Sequence, residues 1–270
     1  MRPTVTVLPD ANALADAVAE LFIAAAADAI EARGRFVVAL AGGATPRATY
    51  ERLAAPTIRG RVDWTRVHVV WGDERCVPPA DGESNYRMAR DALLDHVPVP
   101  EGQVHRMQGE ADPVTAAAAY ERELRALLAT PSGAPRAAAG ARIDLVLLGL
   151  GADGHTASLF PAGAGVRERD RWVIAVHDGP TPLWRLTLTP GLFNAAGEIA
   201  FVVSGGAKAE ILRRVLSPPR AEVDLPAQAI EPIDGRVRWY VDAAAAADLD
   251  DASVRRSVGM SDDCTEEDRA

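Results

Sequence analysis

Residues 143–161 read IDLVLLGLGADGHTASLFP. Residues 143–148 are apolar apart from Asp144, a composition typical of a strand buried on both faces of a parallel sheet. The run ends at Gly149, and two further glycines, Gly151 and Gly154, precede a single histidine, so the chain turns tightly where the strand would leave the sheet. This stretch predicts a parallel α/β sheet with a functional loop at the carboxyl end of one strand.

The chain on both sides of this stretch alternates in the same way between short apolar segments and longer amphipathic ones. The predicted strands cover residues 5–8, 36–41, 67–71, 143–148, 172–176, 185–188, 199–204 and 237–241. The predicted helices begin at the N-cap residue Asn12 and run to Arg33, begin near Pro46, and cover residues 84–96, 114–129 and 207–216. Strands separated by segments of helix length predict βαβ units and a parallel sheet flanked by helices.

Length and charge distribution predict one domain and a tail. The chain has 270 residues, enough for a single large α/β domain, which we place at residues 1–242. The segment 131–141 is interpreted as a surface linker within that domain. Residues 243–270 carry eight acidic residues against three arginines and few large apolar ones. This composition predicts a disordered acidic tail.

Composition also excludes several classes of partner and location. The formal net charge of -9 argues against binding to nucleic acid or to an anionic membrane. It leaves open a local cationic pocket for a small anionic molecule. The two cysteines are too few for a disulfide framework. With no leader-like start and no apolar run of about 18 residues, the sequence predicts a cytoplasmic protein.

Two of the predicted strands end in loops suited to an anion. After residue 41, Gly42 and Gly43 allow a tight turn into a helix. The free backbone amides at the start of this helix, with the hydroxyl of Thr45, could bind a phosphate. The alternative is an ordinary glycine-rich turn. After residue 71, three charged residues follow a buried strand. Arg75 could hold a phosphate or a sugar hydroxyl and Asp73 could orient it, the alternative being a structural salt bridge.

Two further loops supply a base and a cation. His155 lies between glycines, two residues after Asp153, which could fix its tautomer; this arrangement favours a general base over a structural histidine. The loop after residue 204 carries Lys208, the only lysine among 29 Lys and Arg residues. A compact ammonium at a glycine-flanked helix start favours phosphate binding over a chance surface lysine.

Taken together, five segments resemble the family of 6-phosphogluconolactonases and glucosamine-6-phosphate isomerases. They are residues 42–46 (GGATP), 71–75 (WGDER), 84–86 (SNY), 149–161 (GLGADGHTASLFP) and 204–209 (SGGAKA). The resemblance extends over about residues 5–242. It implies a Rossmann-like, mainly parallel sheet of the NagB/6-phosphogluconolactonase type. It also implies hydrolysis of a sugar-phosphate lactone, without an organic cofactor, in the oxidative pentose phosphate pathway.

Carried over by position, the resemblance assigns a role to each candidate. His155 becomes the catalytic base and Asp153 its neighbouring acid. Arg75 and Lys208 become phosphate-site cations and Arg185 a substrate-facing arginine. The remaining substrate-site residues are Gly43, Ala44, Thr45 and Asp73. The first loop departs from the family, because Ala41 and Ala44 stand where serines are frequent, so phosphate binding there must rely on backbone amides and Thr45. The resemblance leaves a monomer and a homodimer equally open.

Three other functions are weighed against this one. A deaminase-type isomerase would resemble this chain but carry a glutamate before Pro161, whereas residues 157–160 (ASLF) hold no carboxylate for a proton relay. A non-catalytic sugar-phosphate regulator would keep the phosphate residues and lose His155. A metal hydrolase would need a spaced cluster of His, Cys and acidic ligands, which the sequence does not suggest.

Overall fold

A computed structural model describes residues 4–129 and 142–250, together with the backbone of 255–257. The segment interpreted as a surface linker and most of the predicted tail lie outside these ranges. The helices are α1 (Ala11–Arg33), α2 (Ala44–Ala54), α3 (Asn85–Ala92), α4 (Pro113–Leu127), α5 (Ala164–Arg167), α6 (Pro190–Phe193) and α7 (Ala209–Leu216). The strands are β1 (Thr4–Leu8), β2 (Phe36–Leu40), β3 (Val67–Trp71), β4 (Asp73–Arg75), β5 (Leu145–Leu148), β6 (Val173–Val176), β7 (Arg185–Leu188), β8 (Glu198–Val203), β9 (Arg236–Asp242) and β10 (Arg255–Ser257).

The main sheet has seven strands in the order β10-β1-β9-β8-β5-β2-β3, and all of its pairs are parallel. Every residue of β2 and β5 is buried, because helices cover both faces of a parallel sheet. The mainly parallel, Rossmann-like fold is therefore confirmed, and the opening stretch of the sequence does form a central strand.

Strand order explains why the site forms where it does. The chain leaves β2 toward β3 on one side, whereas β5, β8 and β9 are added on the other. The order in which strands are added to the sheet therefore reverses between β2 and β5. Open α/β sheets bind ligands beyond the carboxyl ends of their strands at such a reversal. The four loops singled out in the sequence follow β2, β3, β5 and β8, which are neighbours in the sheet, so they converge at one edge.

A second sheet, which the sequence did not predict, supplies one wall of this edge. It is antiparallel, with the order β4-β7-β6, and β4 consists of Asp73, Glu74 and Arg75. Three consecutive charged residues carry no apolar alternation, so a strand there is not visible in the sequence. Asp73 and Glu74 are nevertheless buried, because hydrogen bonds satisfy their carboxylates.

Helix α1 corrects one predicted boundary. The carboxylate of Asp10 accepts hydrogen bonds from the backbone N–H groups of Asn12 and Ala13, so Asp10 is the N-cap and the assignment of Asn12 was wrong. The end of the helix at Arg33 is as predicted. No helix in the described part of the chain is both long and apolar enough to cross a membrane.

The folded body continues past Asp242, where we had placed the start of the tail. Ala245, Ala246 and Leu249 are buried against the core, and the backbone N–H of Ala245 donates to the Asp242 carboxylate at 2.7 Å. The backbone of β10 also pairs with β1. The boundary at Asp242 is corrected accordingly, because small alanines can be buried in a turn even when the surrounding composition is acidic. The predicted disorder of the last residues lies outside the described residues.

A pair of histidines lies at the β3 edge of the main sheet. Nδ1 of His68 is 3.1 Å from Nε2 of His105, whose Nδ1 is 2.7 Å from the carboxylate of Glu123. Burial lowers the pKa of His68, and the positive charges of His105 and Arg35 lower it further. In the contact between the two rings, one nitrogen has to donate and the other has to accept.

Candidate active site

A cleft of about 290 Å³ opens at the carboxyl ends of the central strands, and all four predicted loops contribute to its wall. Six of the predicted site residues line it: Gly43, Asp73, Arg75, His155, Arg185 and Lys208. The other three, Ala44, Thr45 and Asp153, do not. The structure thus brings the predicted base and cations together, although they are distant in sequence.

His155 is held on two sides. Its Nδ1 lies 2.5 Å from the carboxylate of Asp153, which also accepts the backbone N–H of His155 at 3.1 Å. The imidazole lies so close to the backbone of Gly151 that a Cβ at that position would overlap the ring. Gly151 therefore has to be glycine for the ring to keep this orientation.

The pairing with Asp153 decides which nitrogen of His155 is free to react. The carboxylate accepts a hydrogen bond from the Nδ1–H group, which leaves Nε2 of a neutral ring as a proton acceptor. Burial alone would raise the pKa of Asp153, but hydrogen bonds from the backbone and ring of His155 outweigh it and hold that pKa below its usual value. Side-chain exposure is 28% for His155 and 49% for Asp153, so the aspartate orients the ring from outside the cleft.

The two arginines of the cleft face each other across a strand pair. Arg75 and Arg185 are register partners in the antiparallel pair of β4 and β7, where two like charges oppose folding. Arg75 donates to the carbonyl oxygen of Glu83 at 2.6 Å, and Arg185 donates to the hydroxyl of Thr181 at 3.3 Å. Within the described residues neither guanidinium forms an ion pair.

Both arginines also have an unused buried donor. The Nε groups of Arg75 and Arg185 are buried without a hydrogen-bond partner. Burial lowers the pKa of Arg185, and the neighbouring charge of Arg75 lowers it further. Unsatisfied buried N–H groups on two adjacent cations form a site suited to an anion.

Lys208 supplies a third cation. It ends the 3-10 turn Gly206–Lys208, which follows β8 and leads into α7, and its half-buried side chain lines the cleft. In the part of the chain that the structure describes, its ammonium has no carboxylate within ion-pair distance. Gly43, the residue preceding α2, also lines the cleft.

The acidic residues after β3 have roles that the sequence did not assign. The carboxylate of Asp73 accepts from the Asn85 amide at 3.1 Å and from the Ser158 hydroxyl at 2.7 Å. It forms no hydrogen bond with Arg75, so the expectation that Asp73 orients this arginine is not supported. Asn85 also lines the cleft and was missed as a site residue, although the SNY triplet that contains it was noted.

Glu74 has a structural role, although among the described residues it forms hydrogen bonds to neutral donors and not the salt bridge expected as the alternative. It is 2% exposed, and its carboxylate accepts from the backbone N–H groups of Arg75, Asn85 and Tyr86 and from the hydroxyl of Ser84. Burial raises the pKa of Glu74, although these hydrogen bonds oppose the rise. Glu74 thus fixes the start of α3 against β4 and does not face the cleft.

Comparison with known proteins identifies the group to which this arrangement belongs. The family described as glucosamine-6-phosphate isomerases/6-phosphogluconolactonase matches residues 9–239. The chain belongs to this family. The 6-phosphogluconolactonase of Nostoc sp. (strain PCC 7120) is 39% identical over 250 residues, which cover 92% of this chain and 99% of the relative. That of Haemophilus influenzae is 36% identical over 208 residues, covering 77% and 85%.

Among solved structures, the 6-phosphogluconolactonase from Trypanosoma brucei superposes with a TM-score of 0.79 at 27% identity, covering 92% of this chain and 99% of that one. A crystal structure described as devB protein gives a TM-score of 0.81 at 31% identity, with the same two coverages. The fold of this family member is thereby shown along almost its whole described length.

The stretch before Pro161, where a glutamate is expected in a deaminase-type member of the family, holds no carboxylate in residues 157–160. One of these residues is Phe160, and its ring centroid lies 4.8 Å from that of His155. An aromatic ring therefore lies beside the histidine in this stretch.

The described residues also bear on metal chemistry. They contain no group of three or more His, Cys, Asp or Glu side chains arranged to hold a metal ion. The polar groups that line the cleft are chiefly cations, an amide and a histidine, which suit an anionic organic ligand better than a metal.

Proposed function

We propose that this family member is a 6-phosphogluconolactonase, which hydrolyses 6-phospho-D-glucono-1,5-lactone to 6-phospho-D-gluconate in the oxidative pentose phosphate pathway. The observation that carries the proposal is the shared cleft: Arg75, Arg185 and Lys208, cations without carboxylate partners in the described residues, open onto the same space as His155. A phosphorylated, electrophilic sugar ester uses both features at once.

In this proposal the cations and the loop amides bind the substrate. The phosphate is held by Lys208 and Arg75, with the backbone at Gly43 supplying N–H donors near the start of α2. Arg185 faces the sugar. Binding through the phosphate positions the lactone carbon at a distance from the charged group, so that binding free energy supports orientation at the reacting bond.

The chemistry follows from the free Nε2 of His155. Neutral His155 takes a proton from water as the water oxygen attacks the C1 carbonyl carbon, and backbone donors or a cation stabilise the resulting oxyanion. When the tetrahedral intermediate collapses, the bond from C1 to the ring oxygen breaks and the imidazolium returns its proton to that oxygen. Asp153 keeps the ring oriented throughout and stabilises the imidazolium. No external cofactor takes part.

The nearest alternative is an aldose–ketose isomerisation of the deaminase type. Such chemistry needs a further proton relay beside the histidine, and Phe160 provides no titratable group there. This observation favours hydrolysis.

A lactonase assay tests the proposal. The purified protein should accelerate the opening of freshly generated 6-phosphogluconolactone above its spontaneous hydrolysis, without added cofactor, and EDTA should leave the rate unchanged. Failure to exceed the spontaneous rate would exclude the function. Loss of activity in EDTA that a divalent ion restores would exclude the metal-free mechanism.

The location and assembly belong to the same proposal. We infer a cytoplasmic enzyme, because the two cysteines of the chain are too few for a disulfide framework and the thiol of Cys76 is free. For the assembly we propose a monomer or a homodimer.

A further inference from the structure

Phe160 connects two functional side chains of the cleft without entering it. Its ring is 4% exposed and does not line the cleft. The imidazole of His155 packs against it with 4.8 Å between ring centroids and 47° between planes. The guanidinium carbon of Arg185 lies 5.5 Å from the same ring centroid. One apolar side chain therefore touches both the proposed base and a proposed substrate-binding cation.

The loop between β6 and β7 lies against one end of the Phe160 ring. A Cβ on Gly179 would lie 2.9 Å from Cζ of Phe160, 3.0 Å from its Cε2 and 3.3 Å from Nε of Arg185. The end of the ring therefore rests against the backbone of Gly179, and there is no room for a side chain there. Since β6 and β7 flank this loop, the hairpin limits movement of this end of the ring.

We propose that Phe160 is a positioning residue that fixes the imidazole of His155 and the guanidinium of Arg185 relative to each other. The inference rests on the proposed function and deepens it. Asp153 fixes the Nδ1 edge of the imidazole, and Gly151 lies against the ring, but neither contact reaches Arg185. Phe160 supplies the missing connection between the group that activates water and a group that binds the sugar.

An aromatic ring is suited to this task for two reasons. Its π face attracts the guanidinium of Arg185, which has no carboxylate partner among the described residues. Its rigid planar shape also leaves the imidazole fewer orientations than a flexible aliphatic chain would. In the transition state the imidazolium of His155 and the guanidinium of Arg185 both carry positive charge. A neutral ring separates these two groups and forms an ion pair with neither.

Two variants disturb this contact in different ways. Phe160→Leu removes the ring but keeps the site apolar, and Gly179→Ala keeps the ring but places a Cβ 2.9 Å from its Cζ, so that the ring has to shift. Phe36→Leu is the matched control for the first, because Phe36 is fully buried beside Phe22 in another part of the core. Gly102→Ala is the control for the second, because a Cβ there meets nothing within 4 Å.

We expect Phe160→Leu to lower kcat about 10- to 100-fold, since small misplacements of catalytic groups have effects of this size. KM for the phosphorylated lactone should rise ~10-fold, equivalent to one weakened charged hydrogen bond. Gly179→Ala should change both constants in the same direction. The two controls should keep both within twofold of wild type, even where Phe36→Leu lowers the melting temperature.

Proton NMR of the His155 ring tests the contact independently of activity. The ring current of Phe160 displaces the Hε1 and Hδ2 signals of His155, so both proposed variants should shift these signals and both controls should not. Unmoved His155 signals would overturn the positioning role, as would kinetics of the folded Phe160→Leu or Gly179→Ala protein within twofold of wild type. A wild-type protein without lactonase activity would instead refute the proposed function, and the NMR comparison would still decide the role of Phe160.

Discussion

Replacement of Lys208 by alanine is the most direct test of how the substrate is held. Lys208 is the only lysine of the chain, and its ammonium lies half-buried at the cleft wall with no ion-pair partner among the described residues. If no protein carboxylate neutralises it, its partner is the ligand. Lys208→Ala then removes an interaction with the substrate and breaks no ion pair within the described fold.

The size of the effect follows from the kind of interaction that is lost. A hydrogen bond to a charged group contributes about 1.5–3 kcal/mol, which corresponds to roughly 10- to 150-fold in the KM for the phosphorylated lactone. Because the side chain is only half-buried, solvent screening places the expected value toward the lower end of that range. Lys208→Arg should be impaired as well, since a planar fork needs a different geometry.

The assay compares kcat/KM for 6-phosphogluconolactone and for unphosphorylated gluconolactone. Lys208→Ala should lower the first constant and leave the second nearly unchanged. Arg214→Ala is a suitable control, because Arg214 is an exposed cation of α7 that does not line the cleft. Equal losses on both lactones would show that Lys208 serves the fold or the chemistry, and would refute its assignment to the phosphate.

Three other predictions use the contacts described above. His155→Asn should lower kcat by about 10²–10⁴ and leave the Kd of 6-phosphogluconate, measured by calorimetry, near that of wild type; a nearly full rate would remove His155 from the mechanism. Truncation after Asp242 should lower the free energy of unfolding by on the order of 2–4 kcal/mol, whereas truncation after Asp250 should have a smaller effect; equal melting temperatures would contradict the packing of residues 243–250. The pKa of His68 is lowered in the folded protein, so the unfolded chain binds a proton at this ring more readily than the folded chain does. The contribution of His68 to stability is therefore complete above about pH 6.5 and is lost as the pH falls below that value. His68→Asn should therefore flatten the fall in melting temperature between about pH 6.5 and 5, and identical pH profiles would contradict the sign.

The parallel core could be predicted from sequence because its signals are local. Each central strand is a short apolar run bounded by glycines or polar residues, and the bounds predicted for β7 agree with the structure. The cap of α1 was missed because Asp10 and Asn12 are both good caps, and only the geometry shows which side chain accepts the first amides. The antiparallel sheet was missed because β4 is charged and is stabilised by contacts from residues more than eighty positions away, such as Ser158.

The same difference between local sequence signals and contacts of distant residues applies to the site. Glycine-flanked loops after strands identify His155 and Lys208, since both the turn and the functional group are encoded within a few residues. The partners that hold a site together are not visible in this way. Ser158 reaches Asp73 across 85 positions, and Phe160 meets Arg185 only because the β6–β7 hairpin folds back over it. Neither contact leaves a pattern in the local sequence.

The facing arginines of β4 and β7 have a consequence for engineering. A fold that holds two like charges opposite each other, with buried N–H groups unused, is less stable than its backbone would permit. Replacing Arg185 with an apolar residue of similar length would relieve that repulsion. A library of variants selected only for heat resistance would therefore be enriched in inactive proteins substituted at Arg185. Selection for a more thermostable protein should therefore include an activity screen at every round.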